Sequence, residues 1–99
     1  MVQNEYDFII VGAGAAGCAV AHRLSEDRTT SVLLLEAGSR DWSPLIHIPV
    51  GFTKLTSPRV NWGFETVRQP QLNNRRMSYP QGRTLGGSTS INAMIFIRG

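Results

Sequence analysis

At 99 residues, with 41% hydrophobic and 17% charged side chains, the chain has room for one small folded domain and lacks the composition of a disordered or membrane-spanning one. Its net charge of +3 is unevenly spread: residues 1–53 set three arginines against six acids, whereas residues 54–99 set Lys54 and six arginines against Glu65 alone. Such a basic half attracts anionic cofactors or nucleic acid, or meets acidic partners from protein outside these residues; no nucleic-acid-binding module accompanies it, so nucleic acid is not an expected partner.

In chain order, Met1-Val2-Gln3-Asn4-Glu5 shows neither the basic start nor the apolar core of a secretory leader, which favours a cytoplasmic location, with or without peripheral attachment to a membrane. Tyr6 to Val11 follows, a short β-branched apolar run ended by glycine, and predicts a strand buried on both faces of a parallel sheet. From Ala15 to about Glu26 the sequence is alanine-rich, with Val20, Ala21 and Leu24 on one stripe and Arg23, Glu26 and Asp27 toward solvent, which predicts a helix. A polar turn over Asp27 to Ser31 leads into Val32-Leu33-Leu34-Leu35-Glu36, a second buried strand with a carboxylate at its end. The resulting βαβ unit requires parallel strands and a right-handed crossover. The apolar runs are far shorter than the roughly 20 residues of a membrane span.

Beyond Ala37-Gly38, Pro44, Pro49, Pro58, Pro70 and Pro80 break the chain into loops and short turns, with one extended piece at Phe64 to Val67. An irregular segment of that length needs partners for its backbone groups, so it is expected to lie over a cofactor or over protein outside these residues. The last stretch, Gly82 to Asn92, is rich in glycine and hydroxyl residues and runs into Ala93-Met94-Ile95-Phe96-Ile97.

Gly12-Ala13-Gly14-Ala15-Ala16-Gly17 fits G-x-G-x-x-G directly after a predicted strand and at the opening of a predicted helix. In that setting Gly12 permits the tight turn, Gly14 lets backbone approach a pyrophosphate, and Gly17 lets the helix pack on the strand. The helix N-terminus then offers unpaired N–H groups to the phosphates. Glu36, nineteen residues after Gly17, stands where a carboxylate accepts hydrogen bonds from a ribose diol. A carboxylate there repels a 2′-phosphate, which disfavours NADP and leaves both NAD and FAD open. A non-catalytic nucleotide-binding module is a further alternative. The second glycine-rich loop, some seventy residues later, suits a longer dinucleotide.

Gly12 to Gly17 with Glu36, the stretch Asn61-Trp62-Gly63-Phe64-Glu65-Thr66, Asn73-Asn74-Arg75-Arg76 and above all Gly82 to Gly99 resemble the N-terminal portion of the glucose-methanol-choline (GMC) oxidoreductases. The likeness runs from Tyr6 to Gly99, and the 61–66 and 73–76 stretches also resemble the bacterial choline dehydrogenase-like and alcohol dehydrogenase-like members. The resemblance implies an FAD-dependent enzyme that oxidises a small-molecule alcohol and passes its hydride to the flavin. It also implies that Gly12, Gly14, Ala15, Ala16 and Gly17 hold the FAD pyrophosphate, Glu36 the adenosine ribose, and Ala37 the adenine side. Thr84, Gly87, Ser88 and the run Asn92-Ala93-Met94-Ile95 would approach the pyrophosphate and flavin from the second loop. Some relatives attach FAD through a histidine before the signature asparagine; that position is Ile91 here, so the flavin is expected to be non-covalent.

The family's catalytic base is a histidine near the C-terminus of the whole enzyme, paired with a histidine or asparagine, and no such positions exist in residues 1–99. No residue of this chain is therefore named as catalytic. The fold implied is α/β: a Rossmann-like FAD-binding βαβ unit over about 6–37, a loop-rich extension over about 38–81 and a signature loop over 82–99. Together they make an incomplete domain, expected to bind cofactor and to have no turnover alone. Trp62 is either a cofactor neighbour or a hydrophobic anchor. Cys18 is expected to pack against the sheet, His22 to face solvent, His47 to sit in a loop, and Arg75-Arg76 to be a solvated or interdomain pair. Isolated histidines and a single cysteine give no metal site.

Overall fold

The computed structural model describes residues 5–99; Met1, Val2, Gln3 and Asn4, part of the segment read for a leader, lie outside the described residues. Strand β1 (Phe8–Val11) pairs in parallel with β2 (Val32–Leu35), Phe8 opposite Val32 and Val11 opposite Leu35. Their entry ends are clamped by side chains. The Asp7 carboxylate accepts hydrogen bonds from the Ser31 backbone N–H (2.8 Å) and hydroxyl (2.7 Å). These bonds, the backbone one foremost, hold the Asp7 carboxyl below the ordinary carboxylate range.

Helix α1 (Ala15–Leu24) connects the two strands. It is two residues shorter than the sequence stripe suggested: Ser25 N–H still bonds Ala21 O in helical register, but Glu26 N–H turns to Arg23 O at 3.3 Å and the Ser25 hydroxyl bonds His22 O at 3.0 Å. Two glycines make the entry to α1 possible. Gly12 has φ +98° while its N–H bonds Leu35 O at 2.7 Å, a backbone that other residues rarely adopt. A Cβ on Gly17 would strike the Gly12 carbonyl.

The extension is more ordered than a string of loops. Pro44 and Pro49, each at the first position of a helical turn, open α2 (Pro44–His47) and a 3₁₀ turn (Pro49–Lys54). His47 thus lies at the end of a short helix rather than in a loop. The extended piece begins at Phe64 as expected but is regular only as β3 (Phe64–Glu65), which pairs antiparallel with β4 (Ser78–Tyr79). The ladder continues irregularly through Thr66 N to Met77 O and Gln69 N to Arg75 O, and Asn73 and Asn74 close the turn at positive φ.

Among the described residues the buried apolar set is Ala13, Leu55 and Val60, joined by buried Asn61 and Thr84. The expectation of strands buried on both faces does not hold within this chain: Ile9 is 58% and Val11 84% exposed. One helix and one strand pair cannot cover both sheet faces. Cys18 is likewise exposed, its thiol donating to Ala13 O at 3.3 Å rather than packing on the sheet. The radius of gyration, 17.0 Å, exceeds the roughly 13 Å of a compact domain of this length.

Candidate functional site

The C-terminal ends of β1 and β2 open into a cleft of about 550 Å³. Val11, Gly12 and Gly14 line it from the first strand end, Leu35, Glu36 and Ala37 from the second, and Trp62, Gln81, Gly82, Gly87 and Ser88 from the extension and second loop. In an open parallel sheet this is where ligands are received. The α1 N-terminus at Gly14 has no side-chain cap, and no acid stands in its first turn. No side chain therefore competes with an anion for its N–H groups.

Glu36 is fixed by the chain itself. Oε2 accepts from the Ala13 N–H and Oε1 from the Gly38 N–H, each at 2.8 Å. The carboxylate thereby ties the end of β2 to the glycine turn, and each oxygen retains a lone pair for a further donor. A dual role, holding the turn and facing the cleft, is more than the sequence position disclosed.

The second glycine-rich loop is bound to the first. Gly86 N–H donates to Ala13 O at 2.8 Å, and Leu85 N–H and the Thr84 hydroxyl both donate to Ser39 O, at 3.0 and 2.8 Å. Thr84 is fully buried by this tether and does not line the cleft. Asn61, which sequence reasoning did not single out as a site residue, organises the extension's part of the lining. Its side-chain carbonyl accepts from Gly63 N–H (2.9 Å) and Gln81 N–H (3.3 Å), and its amide donates to Leu55 O (3.4 Å). The one available signal was the Asn-Trp-Gly order, an amide two residues before a glycine.

Trp62, whose role the sequence left open, lines the cleft. Its ring stacks parallel to Phe64 at 6.0 Å between centroids and carries the Arg83 guanidinium at 4.9 Å. Arg83 Nε is buried without a partner among the described residues.

Of the sequence-derived residues, Gly12, Gly14, Glu36, Ala37, Gly87 and Ser88 meet at this cleft. Ala15, Ala16 and Gly17 follow in the first turns of α1. Asn92, Ala93, Met94 and Ile95 are not brought to it: Asn92 turns its side chain onto Met94 N–H at 3.0 Å, and Ile95 is 74% exposed. His22 is exposed beside Glu26 (3.7 Å), and His47 Nε2 lies 2.6 Å from Asp41 O. Arg76 pairs at the surface with Glu65 at 3.8 Å. Among the described residues, no group of three or more His, Cys, Asp or Glu could hold a metal ion. No helix among the described residues is long and apolar enough to cross a membrane.

The architecture is thus a βαβ unit whose strand ends and two glycine loops enclose one cleft. Residues 6–99 match the family model for GMC oxidoreductases, and the chain belongs to that family. It is 58% identical over 95 residues to an "Alcohol dehydrogenase [acceptor]" of Pseudomonas putida, covering 95% of this chain and 17% of that protein. It is 50% identical over 99 residues to an "Oxygen-dependent choline dehydrogenase" of Vibrio vulnificus, covering 99% and 18%. Among solved structures, it superposes on pyridoxine 4-oxidase from Mesorbium loti with a TM-score of 0.87 at 38% identity, over 96% of this chain and 19% of that one. An FAD-dependent oxidoreductase from Chaetomium thermophilum gives 0.75 at 34% identity, over 96% and 16%. The chain spans less than a fifth of the length of the curated relatives it matches.

Proposed function

We propose that this chain is the Rossmann-like, FAD-binding segment of a longer flavoenzyme that oxidises a small alcohol to an aldehyde or ketone. The observation that carries the reading is the joining of the two glycine loops, Gly86 to Ala13, around a cleft that ends at Glu36. The residues present suit a dinucleotide. Nothing lies within 4 Å of where a Cβ on Gly14 would stand, so the backbone there is open to a pyrophosphate. The uncapped α1 N-terminus supplies donors and partial positive charge. On this reading Gly12, Gly14, Ala15, Ala16 and Gly17 hold the pyrophosphate with help from Gly87 and Ser88. Glu36 uses its remaining lone pairs on the adenosine ribose, and Ala37 faces the adenine.

Thr84 acts through its tether to Ser39, positioning the second loop rather than touching the cofactor. Asn92, Ala93, Met94 and Ile95 are assigned to the flavin end on the family resemblance alone, which requires the rest of the enzyme to fold them inward. Flavin, when bound, supplies the two-electron chemistry, and this segment supplies its position and electrostatic surroundings. The base that takes the hydroxyl proton belongs to the part of the enzyme outside residues 1–99. The NAD reading, admissible on the first motif alone, is not favoured by a family with FAD-dependent relatives. The test is anaerobic mixing of the complete gene product with a panel of alcohols, choline included. Bleaching of the flavin band by one of them is expected; an inert flavin across the panel, or alcohol-dependent dye reduction by residues 1–99 alone, contradicts the proposal.

A further inference from the structure

A second cleft, of about 640 Å³, lies beyond the Ser39 tether and shares no lining residue with the first. Three cations line it, Arg40, Lys54 and Arg59, and no carboxylate does. None of the three makes an ion pair within 4.0 Å among the described residues, where the ion pairs involve His22, Arg23, His47 and Arg76. Trp42, 76% exposed, stands at the rim with the Arg40 guanidinium 5.5 Å from its ring centroid. Ser43 and Ser57 add hydroxyl groups, and buried Leu55 and Val60 form an apolar floor.

Like charges gathered at one concavity repel one another, and an anion seated among them relieves that repulsion while gaining charge-assisted hydrogen bonds. The volume falls in the range of small-molecule sites, and the mix of an apolar floor, one aromatic and a few polar groups is theirs as well. We infer that this cleft is a binding site, separate from the dinucleotide cleft, for a small organic anion: a phosphate or carboxylate held by Arg40, Lys54 and Arg59, on an apolar or aromatic body that packs against Trp42. The inference does not depend on which dinucleotide the first cleft takes.

The test is calorimetric titration of the complete gene product, loaded with its cofactor so that the first cleft is filled, with phenyl phosphate and with inorganic phosphate in phosphate-free, low-salt buffer. One phenyl phosphate per chain is expected to bind, and inorganic phosphate more weakly. Arg40→Gln and Arg59→Gln should each weaken phenyl phosphate by about tenfold or more, while Arg59→Lys keeps most of the affinity. Trp42→Leu should weaken phenyl phosphate and leave inorganic phosphate unchanged. Retention of the bound cofactor's absorbance band in every variant reports that the fold is intact. Absence of binding to the intact protein overturns the inference, as does binding that Arg40→Gln and Arg59→Gln leave unaltered.

Discussion

Replacing Glu36 by glutamine probes the link between the fold and the cofactor at one atom pair. The carboxylate accepts one N–H on each oxygen, from Ala13 and from Gly38, both at 2.8 Å. A carboxamide has a single acceptor, and its NH₂ would face the second N–H. Hydrogen bonds to a charged group are worth about 1.5–3 kcal/mol each and a neutral one about 1 kcal/mol. Losing two of the first kind and keeping one of the second costs about 2–5 kcal/mol, nearer the low end for a partly buried site. That cost falls on the fold, while FAD affinity should fall by the separate weakening of a charged to a neutral acceptor toward the ribose, about 0.5–2 kcal/mol or about two- to thirtyfold. Because the bonds exist without ligand, the apoprotein should also melt at a lower temperature, which loss of a ribose contact alone would not cause. Glu36→Asp, which keeps the charge but is one methylene shorter, should fall between the two. Flavin fluorescence quenching gives the affinity and a thermal melt of apoprotein the stability. An apoprotein melt unchanged from wild type would refute the bridging role, whatever the Kd.

Other perturbations follow from the same geometry. Gly17→Ala drives a Cβ into the Gly12 carbonyl, so the variant protein should be recovered without flavin or in aggregates; a yellow, soluble variant contradicts the packing. Asp7 is held below its ordinary range by Ser31, so its clamp stabilises the fold above the unfolded carboxylate value and is lost as pH falls through the folded one. The melting temperature of wild type should therefore fall more steeply than that of Asp7→Asn below about pH 4; parallel curves would show the clamp to be inert. Residues 1–99 alone, with Val11 84% exposed and a few small buried side chains, should unfold without a cooperative transition in the absence of cofactor. A sharp, reversible melt would show that the segment is a self-sufficient domain.

The βαβ unit was legible because glycines, apolar runs and a carboxylate stand at spacings with a mechanical reason. Gly12 and Gly17 are needed by the turn itself, and Val32 to Leu35 could hardly be other than a strand after the polar turn at Asp27 to Ser31. Burial was not legible in the same way. The strand sequences are those of a sheet covered on both faces, whereas these residues provide a single helix to cover it. The β3–β4 pair escaped notice because Ser78–Tyr79 is too short to show alternation, and its turn relies on two asparagines at positive φ rather than on a glycine. Thr84 and Asn61 escaped for another reason. A threonine in a glycine-rich loop reads as a ligand, yet its hydroxyl is spent on Ser39, 45 residues away, and no local pattern reports a bond of that range.

The cofactor itself tests the account most directly. The complete gene product, purified without added nucleotide and precipitated with acid, should release about one FAD per chain into the supernatant, identified by its absorbance and chromatographic mass. Soluble FAD also agrees with Ile91 standing where some relatives carry an attaching histidine. Recovery of NAD, or of no dinucleotide at all, would contradict the assignment of the Gly12–Glu36 cleft; flavin that stays with the precipitate would contradict its non-covalent attachment.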